Sequence, residues 1–585
     1  MARDRLSSDA LELTQRLAAF YERHGMSRRD FVRILSTGVA AAAAAPFIQA
    51  CAPQATPRPE EEAPKEPAAR PTSAPVVQST PVPAAPAEAA LLVYASLSDI
   101  SNIDPHIGTG LSNNETLRSL YDSLLDFRGN PPELVPNLVR EWSATPDGQE
   151  WTLNLVSNAK FHDGSAVTAQ DVVYSFQRLL RKKKGSAWMF QTIMDEESIE
   201  AVDDHTVKIR LTQPYAPFEA TLPWLFVVNQ KLVAANQQAG DEGEAWLTQN
   251  EAGSGPFTIK RWEPGNLYEF EAVPDYWGGW PSEGRLSGYI WRITRESSSM
   301  RLALLSGEAH IAQPLSNDDV QALRNEPDVV INDDLSSLTY IIKINNQRDP
   351  TADVQVRRAI AYAMDYEGFV KSQANRHILA KGYLLPNFEP WYNPDAWIYN
   401  TDLDKAKQEL SESEHPEGGF ELEFAYVTGL NFEEQTGLIL LDQLSGLNIK
   451  VKLTPMTFPD MVGRMTDAST APHLMAIATD AAYPDPDAVL WAAYHSSQAG
   501  KTYAAASHYQ NPEVDRLLEE GRATTDPARR KEIYDQVQEK LAQDCPEIPL
   551  TNIVWNAVRR KNVGGWIYTP ITGGVYLKRV YLTKA

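Results

Sequence analysis

The stretch that decides the fold reads Leu134-Val-Pro-Asn-Leu-Val-Arg-Glu-Trp142-Ser-Ala-Thr-Pro-Asp-Gly148-Gln-Glu-Trp-Thr-Leu153, and it continues as Ala159-Lys-Phe-His-Asp-Gly164-Ser-Ala-Val-Thr168-Ala-Gln-Asp171-Val-Val-Tyr-Ser-Phe176. A Pro-Asp-Gly turn separates two strand-like segments, and alternate apolar residues of the second segment fall on one strand face. Thr168 and Asp171 have the spacing of a capping box, which predicts the start of a helix. Strands and helices are interspersed in this way along the chain, so the sequence predicts a mixed α/β fold.

The same two stretches resemble the opening of the family 5 solute-binding proteins of ABC importers. Further matches follow in the family's order: Gly253-Ser-Gly-Pro-Phe257, Pro274-Asp-Tyr-Trp-Gly278, Val356-Arg-Arg-Ala-Ile-Ala-Tyr-Ala-Met-Asp365 and Tyr483-Pro-Asp-Pro486. Each motif alone is weakly specific, but the ordered set spans nearly all of residues 91–585. The resemblance implies an α/β, two-lobed periplasmic-binding-protein-like fold (type II, large cluster C form) with three domains and a cleft between the lobes that closes by a hinge.

The family resemblance, which implies the three domains, and the N-terminal motifs and composition discussed next together divide the chain into five parts. We expect a twin-arginine signal peptide at 1–50, a lipid-anchored, Pro/Ala-rich disordered linker at 51–90, domain I of the first lobe at 91–115, 250–336 and 553–585, domain II inserted in that lobe at 116–249, and domain III, the second lobe, at 337–552.

The N-terminal segment is predicted to be an export and anchoring signal. Arg28 and Arg29 lie in a stretch that resembles the twin-arginine export signal, and the short alanine-rich run after them fits a signal peptide better than a membrane span. Cys51 ends a stretch that resembles a lipobox, so its thiol is predicted to carry the lipid. Frequent prolines in the following segment favour an extended linker. We therefore expect a protein held by lipid at the outer face of the cytoplasmic membrane, in the periplasmic space.

The composition and the motifs of the chain limit the kinds of partner that it can bind. The formal net charge of -23 argues against nucleic acid, whose binding needs an excess of Lys and Arg. The chain contains no nucleophile elbow, phosphate loop or Cys/His cluster, so we expect no catalysis, no cofactor and no metal site. The expected partners are a small solute and the transmembrane subunits of an ABC permease, and we expect a monomer. An exported enzyme is the alternative of another class, and it would need converging titratable groups, for which Asp480 and Asp485 are the candidates.

Two segments are predicted to face the ligand because they match cleft segments of the family. In the first lobe these are Thr109, Gly110 and Leu111, where Gly110 would allow close backbone approach. In the second lobe they lie within Thr479-Asp480-Ala481-Ala482-Tyr483-Pro484-Asp485-Pro486. The ligand-binding candidates there are Thr479, Asp480, Ala482, Tyr483 and Asp485. Tyr340 and Asn345, at the crossing into the second lobe, are further candidates, and Trp491 and Tyr494 are weaker ones.

Ala482 departs from the family pattern. Oligopeptide and dipeptide binders carry an aspartate immediately before the aromatic residue, where it pairs with the ligand's α-ammonium. A buried ammonium without a charge partner costs several kcal/mol. Either Asp480, two positions earlier on the same face of an extended chain, replaces that anchor, or the ligand has no free α-amine. A peptide is the leading ligand, with an oligosaccharide or a metal chelate as alternatives.

Overall fold

A computed structural model describes residues 90–373, 376–572 and 574–583 of the chain. The predicted signal residues Arg28 and Arg29, the lipidation residue Cys51 and almost all of the linker lie outside these residues. Ala90, the last residue of the predicted linker, begins the first strand instead. Within the described ranges, no helix has both the length and the apolar character that a membrane crossing requires.

The strands, in chain order, are β1 (Ala90–Ser96), β2 (Leu125–Arg128), β3 (Glu133–Pro136), β4 (Val139–Ala144), β5 (Glu150–Leu155), β6 (Ile199–Asp203), β7 (Thr206–Arg210), β8 (Phe257–Glu263), β9 (Leu267–Ala272), β10 (Leu286–Ile293), β11 (Ile311–Ala312), β12 (Val329–Ile344), β13 (His377–Leu379), β14 (Glu421–Val427), β15 (Lys450–Met456), β16 (Leu474–Asp480), β17 (Glu547–Arg560), β18 (Val563–Gly564), β19 (Tyr568–Thr569), β20 (Gly574–Val575) and β21 (Tyr581–Leu582).

The α-helices are α1 (Leu111–Leu120), α2 (Ala169–Lys182), α3 (Phe218–Thr221), α4 (Gln230–Asn236), α5 (Glu244–Leu247), α6 (Ser297–Ser306), α7 (Asn317–Leu323), α8 (Val354–Ala363), α9 (Tyr366–Ser372), α10 (Leu403–Ser411), α11 (Asn431–Ser445), α12 (Phe458–Met465), α13 (Pro486–Tyr494), α14 (Pro512–Ala523) and α15 (Pro527–Asp544). Short 3₁₀ helices lie at Gly185–Met189, Glu196–Ser198, Leu222–Trp224, Pro394–Ala396, Ser496–Gln498, Tyr503–Ala505, Pro570–Thr572 and Leu577–Arg579.

Residues 134–176 fold as their sequence pattern predicts. In β5 the side chains of Trp151, Leu153 and Leu155 are buried on one face, and the turn before the strand places Gly148 at φ +68°. Helix α2 begins after Thr168, whose N–H donates to the Asp171 carboxylate at 3.0 Å. These elements form a four-stranded sheet, in the order β4-β5-β7-β6, with α2 packed against it.

One large mixed sheet organises the rest of the described chain. Its strand order is β15-β14-β16-β12-β17-β11-β1-β10-β9-β8, with β13 also paired to β17. The two long central strands, β12 and β17, are antiparallel and carry the sheet from one half to the other. Their register shifts between Leu335 and Thr339, so the sheet is interrupted at its middle. Since β14, β15 and β16 are mutually parallel, their carboxyl ends lie at one edge, where β16 ends at Asp480.

Apolar packing fills both halves and also joins the four-stranded sheet to the C-terminal helices. One core lies on β1, β9 and β10, where Phe270 and Tyr289 stack with ring centroids 4.4 Å apart. A second core lies under β12 and β14. A third runs continuously from residues of 124–227 to residues of 481–542, including Tyr215 and Tyr483. This third core places the two walls of a cavity against each other.

Candidate ligand-binding site

A cavity with a volume of about 1270 Å³ lies where the large sheet is interrupted. One wall comes from segments within 105–117, 185–226 and 568–574, and the opposite wall from segments within 479–523. The middle parts of β12 and β17, including Ser336, Ser337 and Trp555, lie between the two walls. A cavity bounded by two walls and a strand crossing is the shape of a ligand site that opens and closes.

The loop before α1 brings two of the predicted residues to this cavity. Thr109 and Gly110 line it, whereas Leu111 begins α1 and its side chain lies outside the described part of the structure. Gly110 has φ +95°, and no heavy atom lies within 4 Å of the place where a Cβ would be. Its conformation therefore requires glycine because of the positive φ rather than because another group approaches closely.

A buried ion pair fixes the loop. Both Arg178 terminal nitrogens donate to the Asp104 carboxylate, at 2.8 and 2.5 Å, and both side chains are fully buried. Arg178 also donates to His106 Nδ1 at 2.9 Å, while His106 Nε2 donates to the Phe226 carbonyl at 3.1 Å. Burial, followed by the charge of Arg178, lowers the pKa of His106 to about 4, so this histidine is neutral and structural.

Asp480 is the predicted residue that the structure places most directly in the cavity. It lies opposite Leu338 at the end of β16, and its side chain is open to the cavity. Surrounding protein desolvates the carboxyl group and raises its pKa to about 6, although Ser337 and the Ala481 backbone stabilise the anion. No Lys, Arg or His among the described residues forms an ion pair with it.

Ala482 and Tyr483 lie where the two walls meet. The Trp224 indole N–H, on the opposite wall, donates to the Ala482 carbonyl at 2.6 Å. The hydroxyl groups of Tyr215 and Tyr483 both donate to Asp487 Oδ2 at 2.8 Å, and their oxygens are 2.9 Å apart. Thr479, Ala482 and Tyr483 also line the cavity. We call the hydrogen-bonded set of Tyr215, Tyr483 and Asp487 the tyrosine latch.

Three of the predicted ligand contacts, Tyr340, Asn345 and Asp485, do not line this cavity. Tyr340 points to the other face of β12 from the cavity-lining Ile341 and contacts Thr436 Oγ1 at 2.8 Å, because side chains alternate along a strand. Asn345 is buried beyond the end of β12 and donates to the Ala468 carbonyl at 2.8 Å. Asp485 caps α13 and forms a bidentate ion pair with Arg530, at 2.5 and 2.7 Å.

The first wall contains cavity-lining residues that the sequence pattern did not indicate. Trp188, Tyr215 and Trp224 line the cavity from a segment that matches no quoted motif. Of the two weaker candidates, Trp491 lines the cavity, whereas Tyr494 donates its hydroxyl to the Glu547 carboxylate. Only tertiary contacts identify these residues, since core and cavity tryptophans look alike in a sequence.

The polar groups of the cavity suit binding rather than chemistry. The Trp555 indole N–H is buried and has no acceptor among the described residues. Asp485, the proposed second carboxylate of an enzyme, is held by Arg530 outside the cavity. No group of His, Cys, Asp and Glu in the described ranges has a metal-binding arrangement.

A cavity between two walls, at the interruption of a large α/β sheet, defines the class of two-lobed solute-binding proteins. The profile described as "Bacterial extracellular solute-binding proteins, family 5 Middle" matches residues 133–501, and the chain belongs to this family. Because the family consists of solute-binding proteins, the expectation that the chain is not an enzyme is confirmed.

Individual relatives cover most of the chain. A probable D,D-dipeptide-binding periplasmic protein of Escherichia coli is 31% identical over 516 residues, which are 87% of this chain and 97% of the relative. A dipeptide-binding protein of the same organism is 25% identical and covers 83% of this chain and 94% of its own length. The solved structure of HbpA2 from Haemophilus parasuis superposes with a TM-score of 0.74 at 24% identity, over 84% of this chain and all of that one, which confirms the predicted fold.

Proposed function

We propose that this chain is the extracytoplasmic peptide-binding lipoprotein of an ABC importer. It captures di- or oligopeptides by closing two lobes over them and delivers them to the transmembrane subunits of a permease. Membership of family 5 supports the transport role, and the peptide-binding names of the relatives support the ligand class. Asp480 carries the proposal, because an open carboxylate without a counter-ion is what a peptide ammonium group requires.

The register shift in the large sheet supports the proposed lobes. The pairing of β12 and β17 shifts register between Leu335 and Thr339 and again between Tyr340 and Ile341, and the first shift coincides with the proposed boundaries near 336 and 553. A hinge needs a few residues that absorb a backbone rotation, and an interrupted ladder has fewer hydrogen bonds to resist it. We therefore propose that domain III, 337–552, moves against the rest of the body about this crossing.

We favour a peptide over an oligosaccharide because of the charged and hydrogen-bonding groups of the cavity. Sugar rings stack on open aromatic faces, and the Trp491 ring is already in contact with two groups of the protein. The Arg522 guanidinium lies 3.5 Å from the ring centroid, and the His495 ring stacks at 3.7 Å. A peptide needs an acceptor for its ammonium group, which Asp480 supplies.

Export and anchoring rest on the sequence. Arg28 and Arg29 support export by the twin-arginine route, and Cys51 supports a lipid anchor. The proline-rich segment after Cys51 would then let a tethered body reach a permease in the same membrane. Together these features place the proposed protein at the outer face of the cytoplasmic membrane.

Asp480→Asn tests the proposed anchor, with Glu519→Gln as the matched control. Glu519 also lines the cavity, but its carboxylate is more than half exposed and lies 3.5 Å from His495. Titration calorimetry with tetraalanine should give an affinity about 10- to 100-fold lower for Asp480→Asn, the range expected for a lost charge-assisted hydrogen bond. Glu519→Gln should stay within about threefold of the parent.

Native mass spectrometry of the purified full-length chain supplies an independent readout of the ligand class. Peptides should be the molecules that co-purify with it. Recovery of sugars alone, or equal tetraalanine affinity in Asp480→Asn and the parent, would contradict the proposal.

A further inference from the structure

The charged side chains that line the cavity differ in whether they form an ion pair within the protein. Among the described residues there are five: Lys343, Asp480, Glu519, Arg522 and Glu547. Both cations are bound to carboxylates of the protein, whereas Asp480 has no ion-pair partner in the described part of the chain. The cavity therefore offers a carboxylate to a ligand and no uncommitted positive charge.

The Lys343 ammonium group, on the sheet side of the cavity, is already paired within the protein. Its ammonium group lies 2.6 Å from Glu547 and donates to the Ala504 carbonyl at 2.8 Å, and both side chains of the ion pair are fully buried. Tyr494 donates to the second Glu547 oxygen. A ligand carboxylate would have to displace one of these partners to reach the ammonium group, and it would leave a buried charge unpaired.

The Arg522 guanidinium group, on the wall formed by residues 479–523, is already paired with Asp487. Its Nε and Nη2 atoms donate to the two oxygens of Asp487, at 2.5 and 3.1 Å, and the Trp491 ring covers its guanidinium group. Asp487 belongs to the tyrosine latch, so the charge of Arg522 is neutralised by the same contact that joins the walls. A ligand carboxylate at this site would meet a neutral pair rather than a free cation.

The volume of the cavity also favours a ligand larger than a dipeptide. The cavity volume of about 1270 Å³ exceeds the roughly 300–1,000 Å³ typical of sites for drug-sized ligands, and a dipeptide is smaller still. A dipeptide also holds its carboxylate close to its ammonium group, within the same cavity. Burying that carboxylate without a cation would cost several kcal/mol.

We propose that the cleft binds the amine end of a peptide longer than a dipeptide and provides no charge partner for its carboxyl end. This inference rests on the proposed peptide-binding function and specifies the ligand further. Free peptide acids and peptide amides of the same sequence bind equally well, while blocking the amine weakens binding.

Calorimetry on the full-length chain tests this with four ligands: tetraalanine, tetraalanine amide, N-acetyl-tetraalanine amide and dialanine. The acid and the amide should agree within about threefold. The acetylated peptide and dialanine should each bind at least tenfold more weakly than tetraalanine amide.

A tenfold or greater loss on amidation would overturn the proposal. If Arg522 then proved to hold the carboxylate, Arg522→Gln would abolish the difference between acid and amide. Dialanine binding as tightly as tetraalanine would also overturn it. These results are distinct from failure of the proposed function, in which none of the four ligands binds and the inference falls with it.

Discussion

Replacing Tyr215 by Phe removes one hydroxyl group from the tyrosine latch and leaves the aromatic ring. Tyr215 is buried on the first wall, and its hydroxyl donates to Asp487 Oδ2 on the second wall at 2.8 Å. Tyr483 and Arg522 keep their bonds to Asp487, and Arg522 still lies over the ring, 5.2 Å from its centroid. The substitution therefore weakens the contact between the walls without leaving the Asp487 charge unpaired.

The size of the effect follows from the charged acceptor. A hydrogen bond to an ionised group contributes about 1.5–3 kcal/mol, which corresponds to a factor of roughly 10–150 in the ratio of closed to open forms. Because the proposed ligand binds between the walls, destabilising the closed form lowers the apparent affinity by up to the same factor. Titration calorimetry with tetraalanine measures the affinity, and small-angle scattering of the ligand-saturated and ligand-free chain measures closure.

Tyr399→Phe is the matched control. Its hydroxyl is also buried and donates to the Ala542 carbonyl at 2.8 Å, but both residues belong to the proposed second lobe. This variant should lose stability and keep its affinity. If Tyr215→Phe binds tetraalanine within about twofold of the parent, the latch does not contribute to closure and the reasoning fails.

Three further predictions concern pH, stability and anchoring. Asp480, whose pKa is raised to about 6, must be ionised to bind an ammonium group, so the affinity for tetraalanine should fall about tenfold between pH 7.5 and pH 5. An affinity that does not change with pH in the parent would contradict this, and so would the same pH dependence in Asp480→Asn. Asp485→Asn leaves the buried Arg530 without its counter-ion and should lower the free energy of unfolding in urea by about 3–5 kcal/mol. The control Asp535→Asn breaks the more exposed pair with Lys531 and should lower it by about 0–1 kcal/mol. Equal losses in the two variants would refute the argument. Cys51→Ser should move the protein from the membrane fraction to the soluble fraction on immunoblots, and unchanged membrane association would rule out the lipid anchor.

Local chemistry made part of this structure predictable. The turn at Gly148, the buried face of β5 and the start of α2 at Thr168 depend on neighbours in the chain, and each appears as expected. The general placement of Thr109, Gly110, Thr479 and Asp480 followed from the resemblance to the family. These elements are determined within a few residues of sequence or by motifs with a common position.

Residues whose role depends on distant contacts were not predictable. Tyr340 and Asn345 lie near the strand crossing, but one faces away from the cavity and the other lies beyond the strand end. Asp485 has the polarity of a ligand contact, yet Arg530, 45 residues along the chain, binds it. Tyr215 and Trp224 reach the cavity because a separate sheet packs against the C-terminal helices, a contact that no short pattern encodes.

The position of Asp480 connects the departure at Ala482 with the size of the cavity. Asp480 is the last residue of β16, so its carboxylate lies at the strand end, two positions before Ala482. Position 482 is occupied by the contact between the walls, since its carbonyl accepts the Trp224 indole N–H. Asp480 lies opposite Leu338, beside the interrupted crossing of the long strands. A peptide anchored there begins beside this crossing, with the cavity ahead of it before its carboxyl end is reached. The missing aspartate is thus consistent with an anchor that has moved rather than been lost, and with a site built for a longer ligand.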